Sequence, residues 1–472
     1  MNKTKNRNYA FYLLSLLGHD VFYFAFTLYL IKFITGPLFD GPDPDFNRSM
    51  VGVISSIIVG VRVGELVLDP FLGALIDNTK TRFGSFKPWI LSGGIVCAIS
   101  FVALFTTLGN TNINNPTLYV ILFTILFLIM DGSYSLYDIA LWSMIPAIST
   151  TYEERNKVGT VARLGAGIGQ LLLTIFVMPS VILGEGLFGS EQAGWLFFSG
   201  IVLVFTWFSA ACACFGVKEI VPAEQKTTPR TKFKEVFSII VKNDQLAWLA
   251  VSNWCYYFSL ALVSTLMTYY FQYIYGDAAS YSAIFGPATL AVVISVLFYP
   301  WLTRRFSRKQ VLFVALLVML ASLAVLFVAQ SNTVMVVIAS VLFLAPQPII
   351  FTSFLLELTD TIDYGEWKMG RRNVSLTLSV RPLLDKFAGA LSNGAVGLIS
   401  ILCGMTGAAT LSSITSHDSL VFRLIMCGLP MLAILVSIVV YNKKFILTTD
   451  FHDKIVKELA ERNAPSKPGE ES

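Results

Sequence analysis

Apolar runs of about 20 residues or more, the length that crosses a bilayer core as a helix, recur twelve times along the chain. They lie near 10–36, 48–76, 88–109, 117–145, 158–184, 194–216, 246–275, 282–303, 310–330, 334–359, 375–405 and 421–442. Lipid offers no partner for a backbone N–H or C=O, so such runs must be helical, and the Pro and Gly within them are tolerated where neighbours re-satisfy the backbone. Composition agrees: 55% of residues are hydrophobic and 14% charged, where a soluble domain carries about 25% charged. Length alone would suggest about three soluble domains, and the runs overrule it. The expected fold is an all-α membrane protein of twelve transmembrane helices.

Charge then sets the topology. Cations gather at Lys3/Lys5/Arg7, Lys80/Arg82/Lys87, Arg155/Lys157, 218–242, Arg304/Arg305/Arg308/Lys309, Lys368/Arg371/Arg372 and Lys443/Lys444, while the intervening loops are nearly free of Lys and Arg. The positive-inside rule places both termini in the cytoplasm of a cell (plasma) membrane protein. The longest basic loop divides the spans six and six. The expected organisation is a six-helix bundle over 1–217, a linker over 218–245, a second bundle over 246–443 and a cytoplasmic tail over 444–472. Pro70 to Lys87 and Pro300 to Lys309, each after the second span of its half, form a faint repeat. A two-fold repeat of bundles puts a substrate site near the midplane between the halves. The tail is expected to hold a short surface helix over 450–462 and then a disordered end.

Other classes recede. Net charge is only +4 and its cations sit in loops, so no nucleic-acid partner is expected. Six cysteines all lie in apolar runs, with no disulfide framework or zinc site implied. The first run is longer than a signal-peptide core and is expected to be a retained span. With no HExxH, no Walker loop and no Ser–His pair inside a span, no catalytic residue, metal or cofactor is expected.

Charges inside spans are costly in lipid and face protein or a watery cavity. Arg62, Glu65 and Asp69 are spaced i, i+3, i+7 and share one helical face. The plain alternative is a structural ion pair, with Asp69 at a kink before Pro70. In the fourth run Asp131, Tyr134, Ser135, Asp138 and Trp142 fall on one face. Carboxylates accept hydrogen bonds from hydroxyls, and an indole offers a flat apolar platform to a sugar ring. Arg163 interrupts the fifth run beside Gly165, Gly167 and Gly169, glycines that read as close helix packing. Arg163 is expected to pair with the fourth-run carboxylates. Arg381 and Asp385 form an i, i+4 pair in the eleventh run, beside Lys386.

The spacing of Asp69, Pro70, Gly73, Asp77, Arg82, Gly84, Lys87, Pro88 and Trp89 resembles the signature of the glycoside–pentoside–hexuronide:cation symporters of the major facilitator superfamily. A second signature, Asp363, Tyr364, Gly365, Glu366, Trp367, Lys368, Gly370 and Arg372, fits the same family. The stretches 18–23, 77–79 and 375–386 are similar to its lactose-type galactoside permeases and its melibiose permease. The resemblance implies a fold of two six-helix halves. It implies substrate binding by Asp20, Tyr23, Tyr134, Asp138, Trp142, Arg163 and Lys386, and cation coupling by Glu65, Asp69, Ser135 and Lys386. It further implies cytoplasmic gate loops holding Asp77, Arg82, Lys87, Asp363, Glu366, Lys368 and Arg371. Lys386 is expected to bridge toward the second- and fourth-span carboxylates. The chain departs from its galactoside relatives at Arg371, where they carry a histidine, and at Val374, where they carry an acid.

The implied function is import of a small glycoside, expected to be a galactoside such as lactose, melibiose or raffinose, by symport with a cation or by exchange. A proton is favoured over Na+. Sodium-using relatives place an aspartate at Glu65 and an asparagine at Leu68, and a hard cation needs several oxygens. A carboxylate in a poorly hydrated span can load and release a proton near neutral pH. The rival readings are a sodium-coupled symporter, a carrier for a pentoside, hexuronide or glucoside, a lipid carrier on the same fold, and a membrane sensor that binds sugar without moving it.

Overall fold

The computed structural model of the chain describes residues 2–41, 43–77, 79, 81–84, 86–148, 152–218, 242–370, 377, 380–406 and 411–462. Helices α1 to α12 follow the twelve runs. Helix α1 runs as Asn2–Phe24, a π-helical turn Ala25–Tyr29 and Leu30–Thr35; α2 is Pro44–Asp77, α3 Lys87–Leu104, α4 Pro116–Ala147, α5 Tyr152–Phe188 and α6 Glu191–Ala211. In the second half, α7 is Asp244–Tyr269, α8 Leu290–Arg305 and α9 Arg308–Ala329, and α10 has two pieces, Thr333–Leu344 and Gln347–Met369. Helices α11, Val380–Leu402, and α12, Ser416–Lys444, complete it, and α13, Thr449–Arg462, lies beyond. Eleven of the twelve are long and apolar enough by themselves to cross a membrane. The exception is α11, whose first turns carry Arg381, Asp385 and Lys386.

Helix starts are written in the loops, where water and side chains can serve the free backbone N–H groups. Asn115, Ser190, Asn243 and Asn332 each accept a hydrogen bond from the first turn that follows, and Ser307 with Gln310 and Thr415 with Asp418 form capping boxes. The helices then pack through small residues, as dispersion between closely approaching backbones requires in lipid. A Cβ on Gly165 or Gly169 would collide with the Leu13 or Leu17 carbonyl of α1, whereas one on Gly167 would meet nothing. That i, i+4 pair lets α5 lie against α1. Helices α2 and α11 close the seam between halves, with Gly397 of α11 against Ser55 and Gly394 against Val59. All six cysteines are free, and five are buried.

One boundary differs from expectation. The tenth span does not give way to a loop at the second signature: α10 stays helical to Met369, so Asp363, Glu366 and Lys368 stand on its last turns. The helix stops at Gly370, whose φ of +68° is the left-handed C-cap that glycine takes without strain. Asn243 holds this end by donating to the Thr361 carbonyl at 2.9 Å, and Lys368 pairs with Asp244.

Candidate functional site

Charged side chains from α1, α2, α4, α5 and α11 converge in the middle of the molecule. They form two adjoining clusters.

The first centres on α2. The turn spacing that aligns Arg62, Glu65 and Asp69 aims them at α4 and α11. Arg62 is buried, with Nη1 3.4 Å from Glu65 Oε2 and Nε 3.6 Å from Asp131 Oδ1 of α4. Its guanidinium also lies 3.8 Å over the ring of Phe26. Ser135 donates to Glu65 Oε1 at 2.5 Å, and Lys386 Nζ of α11 donates to the same oxygen at 2.7 Å. Lys386 is also paired with Asp69 Oδ2, while Asp69 Oδ1 is buried with no protein donor. Lys386 therefore ties the second half to two carboxylates of α2. Toward the fourth span its influence is electrostatic, on Asp131 and Asp138, and among the described residues the direct partner of Asp131 is Arg62. Two cations and three carboxylates share this space, one negative charge in excess.

The second cluster joins α1 to α4. His19 presents Nδ1 to Asp20 Oδ1 at 2.8 Å and Nε2 to Asp138 Oδ1 at 3.1 Å, the latter at ion-pair range but off the line of a good hydrogen bond. The imidazole is 2% exposed, against 14% for the Asp20 side chain and 24% for Asp138, so the carboxylates are partly open and the ring lies behind them. Tyr134 stacks on the imidazole at 5.5 Å and Tyr23 stacks on Tyr134 at 6.2 Å. Asp138 and Trp142 are half-buried, one turn apart on α4.

Arg163 corrects an expectation. Among the described residues it forms no ion pair with Asp131 or Asp138. Its guanidinium lies 5.3 Å from the Trp142 ring and 4.5 Å from the ring of Phe351 on α10. Asp138 and Asp131 are engaged by His19 and Arg62, and the planar guanidinium takes the aromatic faces instead. Arg381 lies 4.9 Å over the same Phe351 ring. Phe351 thus links the two arginines from the second half, a role no spacing in an apolar run could mark.

The gate residues lie apart from this centre. Asp77 ends α2, Arg82 is exposed in the following loop, and Lys87 opens α3 and donates to the Val217 carbonyl at 2.8 Å. Asp363 accepts from His452 of α13 at 3.0 Å. Arg371 and Val374 lie outside the described residues, as does most of 375–379.

Charged groups gathered between two six-helix halves, with a lysine of the second half paired to carboxylates of the first, suit a membrane carrier of the major facilitator kind. The family of MFS/sugar transport proteins matches residues 11–443, and the chain belongs to it. A lactose permease of Lactobacillus delbrueckii subsp. bulgaricus is 38% identical over 94% of this chain and 70% of its own length. A raffinose carrier protein of Pediococcus pentosaceus is 39% identical over 94% of this chain and 69% of its own length. These relatives are carriers, not enzymes. Among solved structures, a D-xylose–proton symporter superposes with a TM-score of 0.62 at 16% identity, over 93% of this chain and 98% of that one. A nucleoside transporter does so with 0.60 at 15% identity, over 94% and 100%. Likeness at that identity speaks to the fold alone.

Proposed function

We propose that the chain imports a galactoside, of the kind the lactose and raffinose relatives are named for, across the plasma membrane by symport with a proton, both termini lying in the cytoplasm. The observation that carries this reading is the position of Lys386. It stands on the second half, holds Glu65 and Asp69 of the first, and lies within electrostatic reach of Asp138. Asp20 and Asp138 accept sugar hydroxyls, Trp142 supports the apolar face of the ring, and Tyr23, Tyr134 and Arg163 complete the wall. The α2 cluster is one negative charge in excess, so one monovalent cation neutralises it. A proton on Asp69 or Glu65 weakens the hold of Lys386 and lets the halves rock about the site.

The test is sugar-driven ion movement in proteoliposomes. Lactose uptake should alkalinise the outside without added sodium. Uptake that rises with sodium and leaves external pH unchanged replaces the proton with Na+, using the same carboxylates and Ser135. Binding without uptake would make the protein a sensor. Orientation is tested separately: a cysteine at Asp43 should react with an impermeant thiol reagent on intact cells, and one at Ala223 should not.

A further inference from the structure

His19 has no part in the scheme above, yet its imidazole is 2% exposed and lies between the two acids assigned to the sugar. Both ring nitrogens face carboxylate oxygens, Asp20 Oδ1 at 2.8 Å and Asp138 Oδ1 at 3.1 Å. A neutral imidazole has one N–H and one lone pair. With either tautomer, one ring nitrogen would lack a proton while lying 2.8 or 3.1 Å from a carboxylate oxygen, on a ring that is itself only 2% exposed. Only the doubly protonated ring suits both contacts while both acids stay ionised. The ring is also gripped, with Tyr134 stacked at 5.5 Å and Tyr137 edge-on at 5.1 Å. Tyr137 is fixed in turn by a hydrogen bond to Ser209 of α6 at 2.5 Å.

We propose that His19 is an imidazolium strut that sets the separation of the two sugar-binding carboxylates. It is a positioning residue: it holds one oxygen of each acid from behind and leaves the other to substrate hydroxyls. Two bare carboxylates facing one small cavity would repel and splay, and α1 and α4 have no other cation in contact with both. Across the cavity, Arg163 acts electrostatically on Asp20, and Lys386 and Asp385 on Asp138. These more distant charges bias the acids but cannot fix their spacing. The ligand class that follows is a polyol ring offering hydroxyl donors to both acids at once.

This inference rests on Asp20 and Asp138 being the sugar ligands, so the test has one readout that does not. The chain has three histidines. In full-length protein labelled with 15N-histidine and held in lipid nanodiscs, the imidazole signals lost in His19→Lys belong to His19. At pH 7 both should be protonated-nitrogen signals; an unprotonated one overturns the strut. The second readout is lactose affinity. His19→Phe, which keeps the stacking, should bind lactose about 10- to 100-fold more weakly, the loss expected for hydrogen bonds to charged groups. His19→Lys, a cation with three donors, should hold affinity within about fivefold of wild type and retain it to higher pH, where the imidazolium loses its proton. Equal lactose affinity in His19→Phe and wild type would sink the proposal. If Asp138→Ala binds lactose normally while the His19 signals stay doubly protonated, the sugar-site assignment fails and the strut's protonation stands.

Discussion

Two buried lysines close the seam between the halves, and they are satisfied in opposite ways. Lys386 sits at the midplane among carboxylates, within hydrogen-bonding reach of Glu65 and Asp69. Lys32 of α1 lies on the side away from the basic loops, 3% exposed, and among the described residues it forms no ion pair. Its ammonium rests 3.8 Å from the Tyr269 ring centroid and 4.9 Å from that of Tyr273, on α7 and the π-helical turn after it. Around it the halves are stitched by neutral hydroxyls: Thr35 to Tyr269, and Tyr29 to Tyr281 at 2.7 Å. An ionic seam responds to one proton, because neutralising a carboxylate removes the attraction that holds it. An aromatic seam is not held by a carboxylate, so protonating an acid leaves its contacts in place. Under the proposed symport, the midplane seam is therefore the one that a coupling cation would switch.

The largest expected effect comes from taking Lys386 out of the ionic seam. Lys386→Ala leaves Asp69 without its counter-ion beside Glu65, which keeps only Arg62. Breaking a buried pair in this way costs about 3–5 kcal/mol. Uphill accumulation of lactose should be abolished and the thermal midpoint should fall. Adding Asp69→Asn should recover part of the midpoint, since one unpaired charge is gone, without restoring accumulation. Normal accumulation in Lys386→Ala would break the contrast between the seams.

Asp138 sharpens it from a different side, since it borders the cavity and belongs to neither seam. Asp138→Ala removes an acceptor worth about 1.5–3 kcal/mol for each sugar hydroxyl it receives. Lactose affinity should drop about 10- to 100-fold, and the thermal midpoint should fall less than in Lys386→Ala, because His19 keeps its contact with Asp20. Trp142→Phe should weaken binding less than Trp142→Ala. A large fall in stability with Asp138→Ala would make that carboxylate structural.

What could be read in advance follows from how local the signal is. The twelve spans were legible because lipid enforces helix and length together. So was the α2 face, since Arg62, Glu65 and Asp69 need only a helical period to align. Contacts set by the rotation of one helix against another were not. The charge inventory paired Arg163 with acids of α4, but nothing in the sequence says that His19 and Arg62 reach those acids first. His19 could be noticed beside Asp20, yet neighbours in sequence diverge around a helix, and its meeting with Asp138 depends on how α1 packs on α4. The end of α10 was misjudged for a simpler reason. Asp363, Glu366 and Lys368 signal departure from lipid, and leaving the membrane was equated with leaving the helix. Here the helix runs on past the end of the apolar run near 359 and stops where Gly370 caps it.

The smallest expected effect is at the aromatic seam itself. Lys32→Met keeps the length and packing of the side chain and removes its charge. The lost cation–π contacts are worth about 0.5–2 kcal/mol, but the charge is also buried without a carboxylate, so its removal returns part of that in desolvation. Met adds a favourable sulfur–ring contact of about 0.3–1.5 kcal/mol in the same place. The terms nearly cancel, so the thermal midpoint should move by only a few degrees and lactose affinity by less than about threefold. The kinetic consequence should be clearer. Opening this seal exposes the two tyrosine rings, and an ammonium gains hydration on opening where a thioether does not. Lys32→Met should therefore favour the sealed arrangement and slow lactose exchange across proteoliposomes while leaving equilibrium binding nearly unchanged. Exchange at the wild-type rate would leave Lys32 as packing, and loss of uphill accumulation comparable to Lys386→Ala would mean that both seams are ionic.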